Sequence, residues 1–130
     1  MQDNTVAILS VAHDLGDKRI HRLAEALIDN DVSVHIYGTG DIANGPKNAI
    51  CFTAHERTYF RRALRAFYLP FFVKADAFLI VDPDLALSAL LARRLRRVSL
   101  LICDIHENYL DALIDRDWAT GIAGFFGRLI

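Results

Sequence analysis

The sequence predicts an α/β domain: an open, mostly parallel Rossmann-like sheet of about five strands, flanked by helices. Three observations carry this expectation. Short apolar runs recur along the chain, at 6–12, 77–81 and 99–103. Strands buried on both faces read as continuous apolar sequence of this kind. Amphipathic helical segments separate the runs, as crossover connections between parallel strands require. Two of the runs stop abruptly in polar residues, one at Asp82-Pro83-Asp84 and one at Asp104-Ile105-His106-Glu107. Ligands of open α/β sheets bind outside the carboxyl ends of the strands, so these endings are where function is sought.

Residues 6–12 form the first strand by length and composition. A loop over 13–17 contains Gly16, and a helix follows over about 17–30. Its Ile20, Leu23, Ala24, Leu27 and Ile28 fall on one face. Residues 32–37 alternate and read as the second strand. Gly38, Gly40, Gly45 and Pro46 make 38–48 a loop, and 49–53 is a short third strand near a sheet edge. A long helix is expected over 57–74, interrupted by Pro70, because proline removes a helical hydrogen bond. Its apolar face is expected to be Phe60, Ala63, Leu64, Phe67 and Phe71.

The fourth strand, 77–81, runs into Asp82-Pro83, a carboxylate cap followed by proline at the first helical position. The helix behind it ends in Arg93, Arg94, Arg96 and Arg97, cations suited to the negative end of its dipole. After the fifth strand, 108–130 reads as helical with Gly121, Gly124 and Gly127. Phe125-Phe126-Gly127-Arg128-Leu129-Ile130 is an apolar end without a polar cap, and reads as a cut through a longer polypeptide.

Composition excludes several function classes. With 130 residues the chain fits one domain that buries a core without disulfides. A net charge of -1 gives no general attraction for nucleic acid. Cys51 and Cys103 sit in apolar runs and read as reduced, buried core thiols. The start, Met1-Gln2-Asp3-Asn4-Thr5, has no signal-peptide pattern. No stretch reaches about 20 uninterrupted apolar residues, as a spanning helix needs. The expectation is a cytoplasmic protein.

The first strand-to-helix turn, His13-Asp14-Leu15-Gly16-Asp17, lacks the G-x-G-x-x-G of dinucleotide sites, so no nicotinamide or flavin cofactor is expected. Asp14 and Asp17 read as caps of the following helix, as does Asp82 of its own. Asp84 reads as a first-turn anion or a sugar-hydroxyl contact. Asp104, His106 and Glu107 form the strongest cluster, since three polar groups at one strand end cannot all be caps. A histidine flanked by carboxylates can shuttle protons or donate to developing charge. A metal site would need further ligands beyond His13, and none is expected. Arg57, Arg61, Arg62 and Arg65, beside Phe67 and Phe71, describe either a helix lying on an anionic membrane or a core helix with a solvated arginine edge.

Several segments together resemble a known family. Asp17-Lys18-Arg19-Ile20-His21-Arg22-Leu23-Ala24-Glu25-Ala26-Leu27 resembles the D-x-R-[IV]-x-R-x-A-x-x-L helix of family 4 glycosyltransferases. Val32-Ser33-Val34-His35-Ile36-Tyr37 matches their second strand. Ala75-Asp76-Ala77-Phe78-Leu79-Ile80-Val81-Asp82-Pro83-Asp84 is similar to their A-D-[VI]-[VIY]-H-x-H-D-P stretch, with Leu79 and Val81 in place of the histidines. Cys103-Asp104-Ile105-His106-Glu107 looks like their Y-D-x-H-E strand end. The order and spacing agree over nearly the whole chain. The turn after the first strand departs from the family, having Gly16 where many members carry a Gly-Gly pair.

The resemblance implies the N-terminal, acceptor-side part of a GT-B enzyme, incomplete in its last strands and without the C-terminal domain that holds the nucleotide-sugar. The complete enzyme would transfer a sugar from a nucleotide-diphosphate donor to an acceptor hydroxyl, with retention by analogy and without a metal. His106 would be catalytic, near the donor sugar. Asp104, Glu107, His13, Gly16 and Asp84 would bind substrate. The Arg57 to Lys74 segment, with Arg57, Arg61, Arg62, Arg65, Phe67 and Phe71, would dock on the inner face of a membrane toward a sugar or lipid-linked acceptor. Residues 1–130 alone are expected to be inactive, and uncovered apolar faces favour self-association. The alternative is a non-catalytic interaction or membrane-adaptor module. A receiver-type signalling domain is rejected, because Thr53-Ala54-His55 and Cys103-Asp104 lack the aspartate and lysine it needs.

Overall fold

A computed structural model describes residues 4–104, apart from Glu56 and Arg97. It contains strands β1 (Thr5–Asp14), β2 (Ser33–Thr39), β3 (Ile50–Thr53), β4 (Ala77–Ile80) and β5 (Leu100–Cys103). The helices are α1 (Lys18–Ile28), α2 (Tyr59–Phe72) and α3 (Ala86–Arg96), with short 3-10 turns at Ile42–Asn44 and Pro83–Leu85. The five strands form one sheet in the order β3-β2-β1-β4-β5, and every neighbouring pair is parallel. This is the expected open Rossmann-like α/β architecture. The third strand lies at an edge, as its shortness suggested. The helical reading of 108–130 lies outside the described residues, as does the apolar end.

Alternate residues of β1 divide the core in two. Ala7, Leu9 and Val11 face Ala66, Leu69 and Val73 of the α2 region and Leu85, Ala89 and Ala92 of the α3 region. Ile8 faces the opposite way, onto Ile20 and Ala24 of α1, with Val34, Ile36, Leu79 and Val81. The helical periodicity of 17–30 therefore identified the buried side of α1 correctly. Asp17 begins that helix as its N-cap, accepting the Arg19 amide at 2.8 Å.

The face of α2 is a correction. Its buried residues are Arg65, Ala66, Leu69 and Pro70. Of the face expected from periodicity, Phe60, Leu64 and Phe67 are exposed, Phe60 by 72%. The helix is apolar on more than one side, so periodicity does not select which side meets the sheet. Helix–helix approach does: interaxial distance follows the size of the contacting residues. Ala66 packs in one cluster with Ala89 and Ala92 of α3, where a phenylalanine row would hold the helices apart.

Pro70 lies inside α2 without breaking it, and the helix runs two residues further. Proline lacks the N–H that would bond the carbonyl of Ala66, four residues back. The Ser88 hydroxyl of α3 donates to that carbonyl at 2.7 Å, in a buried position. The Leu85 carbonyl is further away at 3.2 Å. Ser88 thus replaces the missing helical donor and explains why the long helix survives its proline. At the end of α2, Arg96 donates to the carbonyls of Phe71 and Val73.

The cysteines are a second correction. Cys51 is half-buried, with its thiol pushed up by burial, and Cys103 is exposed. Both lie on strands at the ends of the described sheet, β3 and β5, where an apolar run does not guarantee cover on both faces.

Ser88→Ala should destabilise the chain by about 1–3 kcal/mol, the cost of an unsatisfied buried carbonyl. The loss should shrink in the Ser88→Ala/Pro70→Ala double variant, where loss of the proline ring restores a backbone N–H at position 70. Urea unfolding of both single variants and the double variant measures this coupling; additive losses would contradict the assignment.

Candidate functional site

The strand order defines the site. From β1 the chain proceeds outward through β2 to β3, then returns to β4 on the other side of β1 and continues to β5. The connections reverse between β1 and β4. In open α/β sheets, ligands bind outside the carboxyl ends at such a reversal. The residues that meet there are Ser10 to Asp14 of β1 and Asp82, just after β4.

Asp82 is the centre of this meeting. Its Oδ2 accepts from the Val11 amide at 2.7 Å, the Ser10 hydroxyl at 2.8 Å and the Ala12 amide at 3.1 Å. Its Oδ1 lies 2.6 Å from His13 Nδ1. The Asp82 side chain is 6% exposed and that of His13 31%. A buried carboxylate is costly unless donors surround it; here two amides, a hydroxyl and an imidazole do. Ser10 Oγ in turn accepts from the His13 amide at 2.8 Å, within the stretch between Leu9 and Asp14 where the register with β2 shifts.

The reading of Asp82 as a helix cap is corrected: its side chain makes no cap bond to the Pro83–Leu85 turn. The end of β1 presents converging donors that compete for the carboxylate. Sequence spacing cannot reveal this, since Ser10 and Asp82 are 72 positions apart. Asp84 does occupy the first turn. It also lines a hollow of about 240 Å³ with Tyr59, Arg62, Ala63 and Ala66. The Arg62 guanidinium lies 4.7 Å from the Tyr59 ring centre, within cation–π range.

The loop after β1 is held by its own side chains. Asp14 Oδ1 accepts the Gly16 amide at 2.7 Å, an Asx turn rather than the expected helix cap. Gly40 has φ +86°, and a Cβ there would fall 1.9 Å from Asp14 Oδ2. Glycine is therefore required for both backbone and space. His21 Nε2 faces two carbonyls, Asn44 at 2.8 Å and Leu15 at 3.0 Å, so it carries the proton.

Asp104 follows β5, and its carboxylate accepts from Arg19 Nε at 3.0 Å. Arg19 also donates to the Asp104 carbonyl. One arginine near the start of α1 thus ties the β1 side of the rim to the end of β5. His106 and Glu107 lie outside the described residues. His13, Gly16 and Asp104 belong to the same strand-end rim; Ser10, Arg19 and the Asp82–His13 pairing are the features that sequence reading missed. A serine inside an otherwise apolar strand was the available signal for Ser10.

The arginine-aromatic segment divides. Arg57 and Arg61 are exposed, Arg62 is half-buried, and Phe67 is exposed. Arg65 is 5% exposed and belongs to the buried side of α2. Phe71 packs against the core. Arg65 and Phe71 therefore do not belong to an outward basic-aromatic surface, whereas Tyr59 and Phe72 are exposed, and so is Phe60. Among the described residues no helix is long and apolar enough to cross a membrane, and no group of three or more His, Cys, Asp or Glu side chains could hold a metal.

Comparisons with protein-family models, with curated proteins and with solved structures match nothing.

Asp82→Ala should cost about 2–4 kcal/mol, because the Ser10 hydroxyl and the Val11 and Ala12 amides lose their acceptor. Asp84→Ala should cost under about 1 kcal/mol, the value of an exposed first-turn anion. Urea midpoints at neutral pH compare the two directly; equal losses would return Asp82 to the role of a simple cap.

Proposed function

We propose that this chain is the acceptor-side Rossmann-like part of an enzyme that moves a sugar from a nucleotide-diphosphate sugar to an acceptor hydroxyl. The carrying observation is the Asp82–His13 pair at the reversal of strand order, a polar site at the usual ligand position of such sheets. Two further contacts support the reading. Arg19, from the D-x-R helix that resembles family 4 glycosyltransferases, binds Asp104, from the segment resembling their Y-D-x-H-E strand end. Asp82, from the A-D…D-P segment, binds the C-terminal part of β1. Segments that resemble the family far apart in sequence thus make direct contact with one another.

In this reading the rim holds the acceptor, and a second domain supplies the nucleotide-sugar. His13, Asp14 and Asp104 offer the hydrogen-bonding groups that sugar hydroxyls need. His106 and Glu107, two and three positions after Asp104 in the sequence, would act at the donor sugar. The acceptor is lipid-linked, because α2 presents exposed Tyr59, Phe60, Leu64, Phe67 and Phe72 beside exposed Arg57 and Arg61. Such a surface suits an anionic membrane, with aromatic groups entering the headgroup layer and arginines meeting phosphates.

Saturation-transfer NMR with methyl glycosides of glucose, mannose and galactose tests the rim. At least one should receive saturation and shift the amides of Ala12, His13 and Gly16; shifts confined to other parts of the sheet would remove the acceptor reading. Vesicles containing anionic lipid should pull down the wild-type chain, with the bound fraction falling about tenfold or more in Arg61→Glu/Arg62→Glu, since each basic residue near the surface is worth about 1 kcal/mol. Failure of the wild type to sediment with anionic vesicles would end the membrane part.

A further inference from the structure

The hollow between the start of α2 and the Pro83–Leu85 turn lies outside the contacts that hold the rim. It encloses about 240 Å³ and is lined by Tyr59, Arg62, Ala63, Ala66 and Asp84. It carries both signs of charge. Among the described residues the ion pairs are His13–Asp82 and Arg19–Asp104. Arg62 and Asp84 thus share one hollow without pairing with each other. Tyr59 is the first residue of α2, so the positive end of that helix dipole adds to the Arg62 charge. The Arg62 guanidinium lies over the Tyr59 ring, 4.7 Å from its centre. A stacked guanidinium keeps its N–H donors in its own plane, where they can meet phosphate oxygens.

The two charges select the ligand. A lone anion is opposed by Asp84, and a lone cation by Arg62. A molecule with an ammonium and a phosphate a short distance apart satisfies both. Its ammonium donates to the Asp84 carboxylate, and its phosphate oxygens accept from Arg62. The hollow is smaller than the roughly 300–1,000 Å³ of pockets for larger ligands, which suits a headgroup rather than a nucleotide. We propose that it binds the aminoethyl phosphodiester headgroup of an ethanolamine phospholipid. The chemistry rests on Arg62 and Asp84; the lipid source rests on the membrane part of the proposed function. Tyr59 and Phe60 are exposed at the same end of α2, so the hollow lies beside aromatic groups that would enter the headgroup layer. A choline headgroup fits less well, because its trimethylated nitrogen has no N–H to donate to Asp84.

Soluble glycerophosphoethanolamine, titrated into the 130-residue chain and followed by 1H–15N amide spectra, should give saturable shifts at Tyr59, Arg62 and Asp84. Glycerophosphocholine should bind about tenfold more weakly, the value of one charge-assisted hydrogen bond. Asp84→Asn should remove this preference, and Arg62→Gln should weaken the binding of both esters. On vesicles of fixed anionic content, replacing part of the phosphatidylcholine by phosphatidylethanolamine should raise the bound fraction of the wild type and not that of Asp84→Asn. The wild-type comparison of the two esters needs no variant, so it decides the matter if a substitution prevents folding. Equal shifts with both esters, no shift at these amides, or an undiminished preference in folded Asp84→Asn overturns the proposal. Shifts with glycerophosphoethanolamine in a chain that ignores every anionic vesicle support the headgroup chemistry and count against the membrane reading. Sedimentation with anionic vesicles without a response to either ester has the opposite meaning, so the two failures are distinguishable.

Discussion

A carboxylate buried where two strands diverge organises this molecule. Asp82 draws the Ser10 hydroxyl, the Val11 and Ala12 amides and the His13 imidazole toward one point. Without such donors an ionised group at that depth would be strongly unfavourable. The ends of β1 and β4 are therefore held together by charge-assisted hydrogen bonds as well as by the apolar sheet beneath them. The path of the chain through the end of β1 and into the following turn involves this bond set: Ser10 accepts the His13 amide, His13 is oriented, and Asp14 closes the turn around Gly16.

A similar compensation operates between the helices on the other side of the sheet. Pro70 deprives α2 of a hydrogen bond, and Ser88 of α3 supplies one. Small residues at that contact keep the two helices close. The consequence is that the larger aromatics of α2 turn outward, to form the exposed aromatic face of that helix. Packing between α2 and α3 and the character of the exposed face are thus one decision. A helix that buried its phenylalanines would leave neither the close approach nor the basic-aromatic surface.

The rim draws the strand ends together. Strand order brings β1 and β4 together, and Arg19 carries the connection on to β5. Asp14, His13, Asp82 and Asp104 are each held by a neighbour, which gives these groups fixed positions and little freedom. Preorganised groups of this type bind and orient a substrate without first rearranging. The tautomer of His13 is part of that preorganisation, because a neighbouring carboxylate determines which nitrogen holds the proton.

Much of the fold was legible in the sequence, because strand burial and helix amphipathicity leave local signals. The runs at 6–12, 77–81 and 99–103 became parallel strands, Asp17 became the cap of α1, and the buried face of α1 matched its periodicity. Where local signals were ambiguous, tertiary structure decided. It chose the inward face of α2, because that helix is apolar on several sides. It exposed Cys103, because β5 closes the described sheet. It took Asp82 from its helix and gave it to His13, because hydrogen bonds between strand ends depend on which strands are neighbours. No linear spacing encodes that adjacency; it exists only once the chain has reversed its direction across the sheet.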